Sequence, residues 1–191
     1  MSDNPLMRIV SFDLSLAASG WGAFGLNQLG VGEVTWGTIF PSPGLFGHPR
    51  LESIRGKVLE LCEGVELVVM EELAFTRNDP SAQERSGLAY LIRHSLWKRK
   101  TPFILIAPSS LKKWATGKGN SPKEVMMMHV LKRLGHETAD SHQADAVALA
   151  YLGMALTDQW DPTMDAQRDV LAVVRKSNPW LQKFVPWEVN A

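Results

Sequence analysis

The sequence predicts an α/β fold: a mixed sheet that opens with an antiparallel three-stranded meander, continues with parallel strands and carries helices on both faces. Two observations predict it. Three strand-like runs come first with no helix between them, and short continuous apolar runs then alternate with segments of helical spacing. A third observation bounds the class: 191 residues with 45% hydrophobic content and seven Trp are enough for one packed domain. A polar fibre, a collagen-like repeat and a wholly disordered chain are excluded on the same grounds.

The elements follow in chain order. Residues 8–14 form the first strand, rich in Ile, Val and Phe and interrupted near its end by Asp13. Residues 20–26 and 31–40 are the next two, separated by the turn signal 27–30, and 41–49 is loop. Helical spacing of Leu51, Ile54, Val58 and Leu61 predicts a helix over 50–62. A buried strand over 65–70 then ends at Glu71. A helix over 81–98, with Leu88, Leu91, Ile92 and Leu96 apolar, precedes a fifth strand at 103–107. Two later helices announce their starts. Ser121-Pro122-Lys123-Glu124 offers a capping Ser, a Pro at the first helical position and a Glu at the third. Asp140 with Gln143 three residues on opens a helix that runs to about Leu156. After Trp160 the composition changes. Asp161-Pro162 breaks the chain, and Trp160, Trp180, Phe184 and Trp187 stand among polar residues. The expected division is therefore a domain over 1–158 and an extension over 159–191 that docks on the body or on a partner.

Cys62 is the lone cysteine, so no intramolecular disulfide forms and no Cys/His spacing offers structural zinc. Residues 1–7 lack the pattern of a signal peptide, and the longest nearly apolar run, 144–156, is too short to span a bilayer. A soluble, cytoplasmic protein with no membrane partner is expected.

Three acids mark the candidate site: Asp13 at the end of the first strand, Glu71 at the end of the fourth, and Asp145 one turn into the Asp140-capped helix. Sheet-strand ends are where α/β proteins place their sites. Each carboxylate ends or interrupts an apolar run, and charges buried there are costly unless a hard divalent cation is shared among them. A fourth ligand comes from Asp140 or His142. At about 100° per residue His142, three positions before Asp145, shares its face, whereas Asp140 points elsewhere and suits the cap. Glu72 faces away from Glu71 if the strand runs through both, as an outer or surface acid.

The series Ile9-Val10-Ser11-Phe12-Asp13, Ser19-Gly20-Trp21-Gly22, Val68-Val69-Met70-Glu71 and His142-Gln143-Ala144-Asp145-Ala146-Val147-Ala148-Leu149-Ala150 resembles the RuvC-type Holliday junction resolvases of the RNase H-like superfamily, and its divergence from them is similar to that of bacteriophage versions. The resemblance covers residues 7–151 and is most specific in the last motif, where members carry Asp or His at the position of His142. It departs from the family at Leu14-Ser15, where Pro-Gly is common, and the stretch from Trp160 on has no counterpart in it.

The resemblance implies an RNase H-like fold and a structure-selective endonuclease that resolves four-way DNA by paired phosphodiester hydrolysis. It also implies a quartet of metal ligands, Asp13, Glu71, His142 and Asp145, holding two Mg²⁺ ions, with Mn²⁺ able to substitute. Lys112 and Lys123 would be the basic residues near the cut, Lys123 also serving catalysis, and Lys118 would join them at the DNA. Phe75, in the loop with Arg77 after the Glu71 strand, would wedge into the branch point, both residues contacting DNA. Paired cuts imply a homodimer, for which the Leu88, Leu91, Ile92 and Leu96 stripe is the interface candidate, although the same stripe could cover the sheet.

Three other readings compete. An actin-like or sugar-kinase-like ATPase needs a duplicated domain, which this length does not hold. A non-catalytic junction-binding protein is expected to lack one of the acids, and none is lacking. A broader branched-DNA nuclease acting on flaps and forks remains the runner-up.

Formal net charge is zero, with 20 basic against 20 acidic side chains. The zero is a sum of opposed segments. Residues 77–133 hold twelve Lys and Arg against Asp79, Glu84 and Glu124, a net of +9, with Tyr90, Trp97, Phe103 and Trp114 interleaved. The segments on either side carry −5 and −4. The acids proposed for metal lie outside the basic stretch, and the residues proposed for phosphate lie in it.

Overall fold

The computed structural model describes residues 6–26, 31–73 and 80–183. Five strands make one sheet: β1 (Leu6–Asp13), β2 (Ser19–Leu26), β3 (Gly32–Ile39), β4 (Leu67–Glu71) and β5 (Phe103–Ile106), in the order β3-β2-β1-β4-β5. β1 pairs antiparallel with β2 and β2 with β3, while β1–β4 and β4–β5 are parallel. This is the mixed sheet that the strand and helix order predicts. The turn expected at 27–30 lies outside the described residues.

Alternation along the central strands sends successive side chains to opposite faces, so a strand covered on both sides reads as one continuous apolar run. Ile9, Leu67, Val69, Ile104 and Ile106 point to one core, and Val10, Phe12, Val68 and Met70 to the other. The second core is closed by α1 (Gly47–Leu61) and α2 (Ala82–Lys98), through Leu51, Ile54, Val58, Leu88, Ile92 and Leu96. The Leu88, Ile92 and Leu96 stripe is therefore buried within the protomer, which removes it as a subunit interface. α1 also begins earlier than the spacing alone predicts, because Pro49 is tolerated in a first turn.

The first core is covered by α3 (Pro108–Thr116), α4 (Lys123–His129), α5 (Ser141–Leu156) and α6 (Asp165–Ser177). A π-helical turn over Val130–Leu134 continues α4. Two of these helices go beyond what the spacing predicts. α3 starts with Pro108 at its first position after an extended Ala107, a signal present in the sequence. α6 lies in the stretch read as an extension, yet Val170, Leu171 and Val174 sit in the first core. The start of α4 also differs from expectation. Ser121 is buried, with its hydroxyl 2.7 Å from Thr116 Oγ1 and 3.0 Å from Lys118 O, so Pro122 takes the cap position.

α5 is the centre of the first core and is buried almost all round. Its cap is as predicted: Gln143 N donates to Asp140 Oδ1 at 2.9 Å. No helix among the described residues is long and apolar enough to cross a membrane.

Candidate metal centre

β1 and β4 are parallel neighbours with Phe12 opposite Met70, so Asp13 and Glu71 finish side by side at the C-terminal edge of the sheet. A third carboxylate has to be lowered onto that edge, and α5 does this. Helix and sheet approach closely there because β2 carries glycine at positions 20 and 22. A Cβ on Gly20 would lie 2.0 Å from the His142 carbonyl oxygen, and one on Gly22 would lie 2.9 Å from that of Ala146. Ser11, buried on β1, completes the seat with its hydroxyl 2.6 Å from Ala146 O and 3.0 Å from Gly22 O. Gln143 Nε2 donates to Thr38 Oγ1 at 2.9 Å and ties the first turn of α5 to β3. These contacts fix the height and rotation of α5, and hence where His142 and Asp145 point.

The result is a cluster of oxygens. One carboxylate oxygen from each of Asp13, Glu71 and Asp145 lies within 4.8 Å of the others. Such a cluster is unfavourable as bare charge. Burial, then repulsion from Asp13 and Asp145, pushes Glu71 up to about 8 from 4.5. Burial, then Asp13, pushes Asp145 up to about 7 from 3.8. Lys112 pulls both down, and Lys123 and His142 also act on Asp145. His142 presents Nδ1 to Asp13 Oδ2 at 2.5 Å, and this hydrogen bond raises the imidazole above its ordinary value.

An all-oxygen donor set, half-buried and costly when ionised, is what a hard divalent cation relieves. The residues present therefore fit a metal centre of the Mg²⁺ or Mn²⁺ kind. His142 is not one of the three clustered groups; it stands beside them, bonded to Asp13.

The remaining predicted residues are placed unevenly. Lys112 on α3 and Lys123 on α4 are near enough to act on the acids. Lys118 lies between those helices, where the Thr116 and Ser121 hydroxyls bond its backbone carbonyl. Phe75 and Arg77 lie outside the described residues. Glu72 is exposed, its backbone N–H donating to Ile106 O at 2.8 Å, and is not in the cluster.

Asp13 and Glu71 open into a cleft of about 180 Å³ lined also by Ser15, Glu72, Arg85 and His142 among others. Arg85 is the one of these that the sequence reading passes over. Its signal is positional: it sits three and four residues before Leu88 and Ala89, both buried on α2, so it extends their sheet-facing stripe toward the strand ends.

No protein-family model matches the chain. The crossover junction endodeoxyribonuclease RuvC of Parvibaculum lavamentivorans is 30% identical over 147 residues, spanning 75% of this chain and 84% of that protein. The protein of the same name from Carboxydothermus hydrogenoformans is 30% identical over 116 residues, 59% of this chain and 73% of the relative. Among solved structures, Thermus thermophilus RuvC in complex with Holliday junction substrate aligns with a TM-score of 0.63 at 24% identity, covering 82% of this chain and 99% of that one. The yeast mitochondrial Holliday junction resolvase Ydc2 aligns with a TM-score of 0.53 at 12% identity, covering 96% and 87%.

Proposed function

Because the chain belongs to the RuvC family of crossover junction endodeoxyribonucleases, we propose that it is a metal-dependent, structure-selective endonuclease that resolves four-way branched DNA by paired phosphodiester hydrolysis. The observation that carries this reading is the cluster of Asp13, Glu71 and Asp145 oxygens within 4.8 Å at the strand ends. Relatives named for junction cleavage and a structural neighbour holding a Holliday junction supply the substrate class.

Asp13, Glu71 and Asp145 would hold two divalent ions, Mg²⁺ or Mn²⁺, with His142 as a further ligand or as the base. When bound, such ions supply positive charge to the phosphate oxygens and make water a better nucleophile at neutral pH. The chain's own groups do the rest. Asp13 fixes the imidazole through Nδ1, which leaves Nε2 of His142 as the atom that can take a proton from the attacking water. Lys112 and Lys123 reach the acids from α3 and α4, where their charge would hold the phosphodiester against the acidic cluster. Lys118, between these two helices, would add its charge to theirs, and Phe75 and Arg77 keep the branch-point role that the resemblance implies.

Symmetric cuts require two such sites, and we read the protein as a homodimer. α2 buries one stripe and exposes another: Gln83, Gly87, Tyr90, His94 and Trp97 recur at alternating steps of four and three and form one outward seam. Tyr90 is 66% and Trp97 69% exposed, a large apolar area for a solvated helix. Grooves at both ends continue the seam, one lined by Gly47, Leu51, Gln83 and Gly87, the other by Trp97, Phe103 and Trp180. Trp180, in the short turn after α6, brings one residue of the C-terminal stretch to this neighbourhood.

Cleavage of a panel of four-way, three-way, flap and linear duplex DNAs with Mg²⁺ or Mn²⁺ tests the function. Preference for the four-way junction with paired nicks is expected. Equal cutting of flaps and forks would make the protein a broader branched-DNA nuclease, and binding without cutting would remove the catalytic assignment.

A further inference from the structure

The centre has basic residues on one side that the sequence explains and one on the other that it does not. Lys112 and Lys123 belong to α3 and α4, which cover the first core, whereas Arg85 belongs to α2, which covers the second. The acids thus lie at a sheet edge that lysines approach from one face and an arginine from the other. Arg85 is anchored in the first turn of α2, its backbone N–H donating to Ser81 O at 3.0 Å. Its side chain lines the cleft shared by Asp13, Ser15, Glu71 and His142. It is the one Lys or Arg among the described residues lining that cleft.

The charges on the two faces divide the work. Lys112 lowers Glu71 and Asp145, and Lys123 acts on Asp145 and His142, so both lysines serve the acids from the face of the first core. Arg85 is what the second face brings to the cleft. Glu84, its neighbour in the chain, is paired with Arg50 across to α1. A guanidinium in a cleft lined by Asp13 and Glu71 of the candidate metal centre suits an anion placed between them, and its planar fork matches two oxygens of one phosphate.

We propose that Arg85 grips a backbone phosphate of the DNA, next to the scissile one, on the side of the metal centre away from Lys112 and Lys123. The inference rests on the nuclease reading and extends it: the strand being cut would be held from both faces of the sheet. An acidic cluster repels DNA wherever metal does not cover it, and a cation on the second face offsets that repulsion where the lysines do not reach.

The test measures binding of a fluorescent four-way junction to full-length protein carrying Asp145→Asn, with and without Arg85→Ala, from about 50 to 300 mM NaCl. Removing one cation from the phosphate backbone is expected to weaken binding about tenfold at about 100 mM salt and to flatten the plot of log affinity against log salt by about 1. Arg85→Lys should keep the slope and recover part of the affinity, since charge is retained and the fork is not. In otherwise wild-type protein Arg85→Ala should raise KM more than it lowers kcat. An unchanged slope, with or without weaker binding, overturns the proposal, because a purely structural role would not carry counterion release. If Arg85→Ala does not fold, Arg85→Gln against Arg85→Lys makes the same comparison. Failure of the wild-type protein to bind or cut branched DNA would instead overturn the nuclease reading, so the two failures are distinguishable.

Discussion

Asp145→Asn should abolish cleavage and, in the absence of metal, make the protein more stable at alkaline pH. The carboxyl group of Asp145 is raised from 3.8 to about 7 by burial and by Asp13. A raised carboxyl binds its proton more tightly in the folded than in the unfolded chain. Its contribution is therefore neutral below 3.8, falls as pH rises toward 7, and is a constant penalty above that. At about 1.36 kcal/mol per pH unit the full penalty is about 4 kcal/mol. About 1.6 kcal/mol of this is already present near pH 5, so the gap between variant and wild type should widen by about 2–3 kcal/mol between pH 5 and pH 8.5. Asparagine has nearly the same volume and no charge, so packing is retained while the penalty is removed. A gain of about 2 kcal/mol corresponds to about 4–8 °C in Tm for a chain of this size. The assay is urea denaturation in EDTA at the two pH values, repeated with saturating Mg²⁺. With metal the order should reverse, because ion binding stabilises the wild type and not the variant. Wild type equal to or more stable than the variant in EDTA at pH 8.5, or a gap that does not depend on pH, would refute the reasoning.

The other predictions concern the groups around that acid. His142→Ala should cost at least about a hundredfold in kcat, with His142→Asp retaining part of it; equal turnover of the three proteins would make the imidazole a bystander. Gly20→Ala puts a methyl group 2.0 Å from the His142 carbonyl oxygen, which cannot yield without moving α5. It should lower stability by about 1–3 kcal/mol and cut activity more steeply than stability, as thermal melts beside nuclease assays would read. Tyr90→Glu with Trp97→Glu should give a monomer in sedimentation velocity while the fold is kept. A dimer that survives both changes would place the subunit interface elsewhere than the α2 seam.

How much of this is legible in the sequence depends on how local each determinant is. The strands and α5 are legible because their signals are short-range: continuous apolar runs, and an Asp140–Gln143 pairing that the structure reproduces at 2.9 Å. α3 and α6 escape for different reasons. α3 is nine residues long, with its start marked by Pro108 alone. α6 follows a break at Asp161-Pro162 and its apolar residues are crowded into 170–174, and only its docking against the first core shows which of them, Val170, Leu171 and Val174, face inward. Ser121 illustrates the limit of a motif. Its capping pattern is present in the chain, but Thr116 and Lys118 compete for the hydroxyl from the preceding turn. The acids stand out because a carboxylate at the end of a buried strand is costly wherever it occurs. Arg85 does not, because a basic side chain on a helix has an ordinary use at the surface. Only the direction of α2 relative to the strand ends gives it another.

The same distinction accounts for the zero net charge. A sum over the chain says nothing about a sheet edge where acids from β1, β4 and α5 meet and bases arrive from both faces. Burial, and then the nearby Asp13 carboxylate, raise Glu71 and Asp145 because the fold forces these groups together, at a cost of several kcal/mol that metal-free protein must bear. That cost persists only because other contacts over-determine the position of α5: Gly20 and Gly22 beneath it, Ser11 beside it and Asp140 at its cap. Rigid support under a repulsive cluster is the arrangement expected of a site whose charge is completed by something the chain itself does not supply. On the nuclease reading the cluster would be completed from two directions, by cations among the acids and by a polyanion across them, and each would lower the cost of binding the other. Junction affinity of the uncut Asp13→Asn protein should therefore rise with Mg²⁺ less than that of a wild-type protein blocked by Ca²⁺, and equal gains in the two would show that the acids and the phosphate sites act independently.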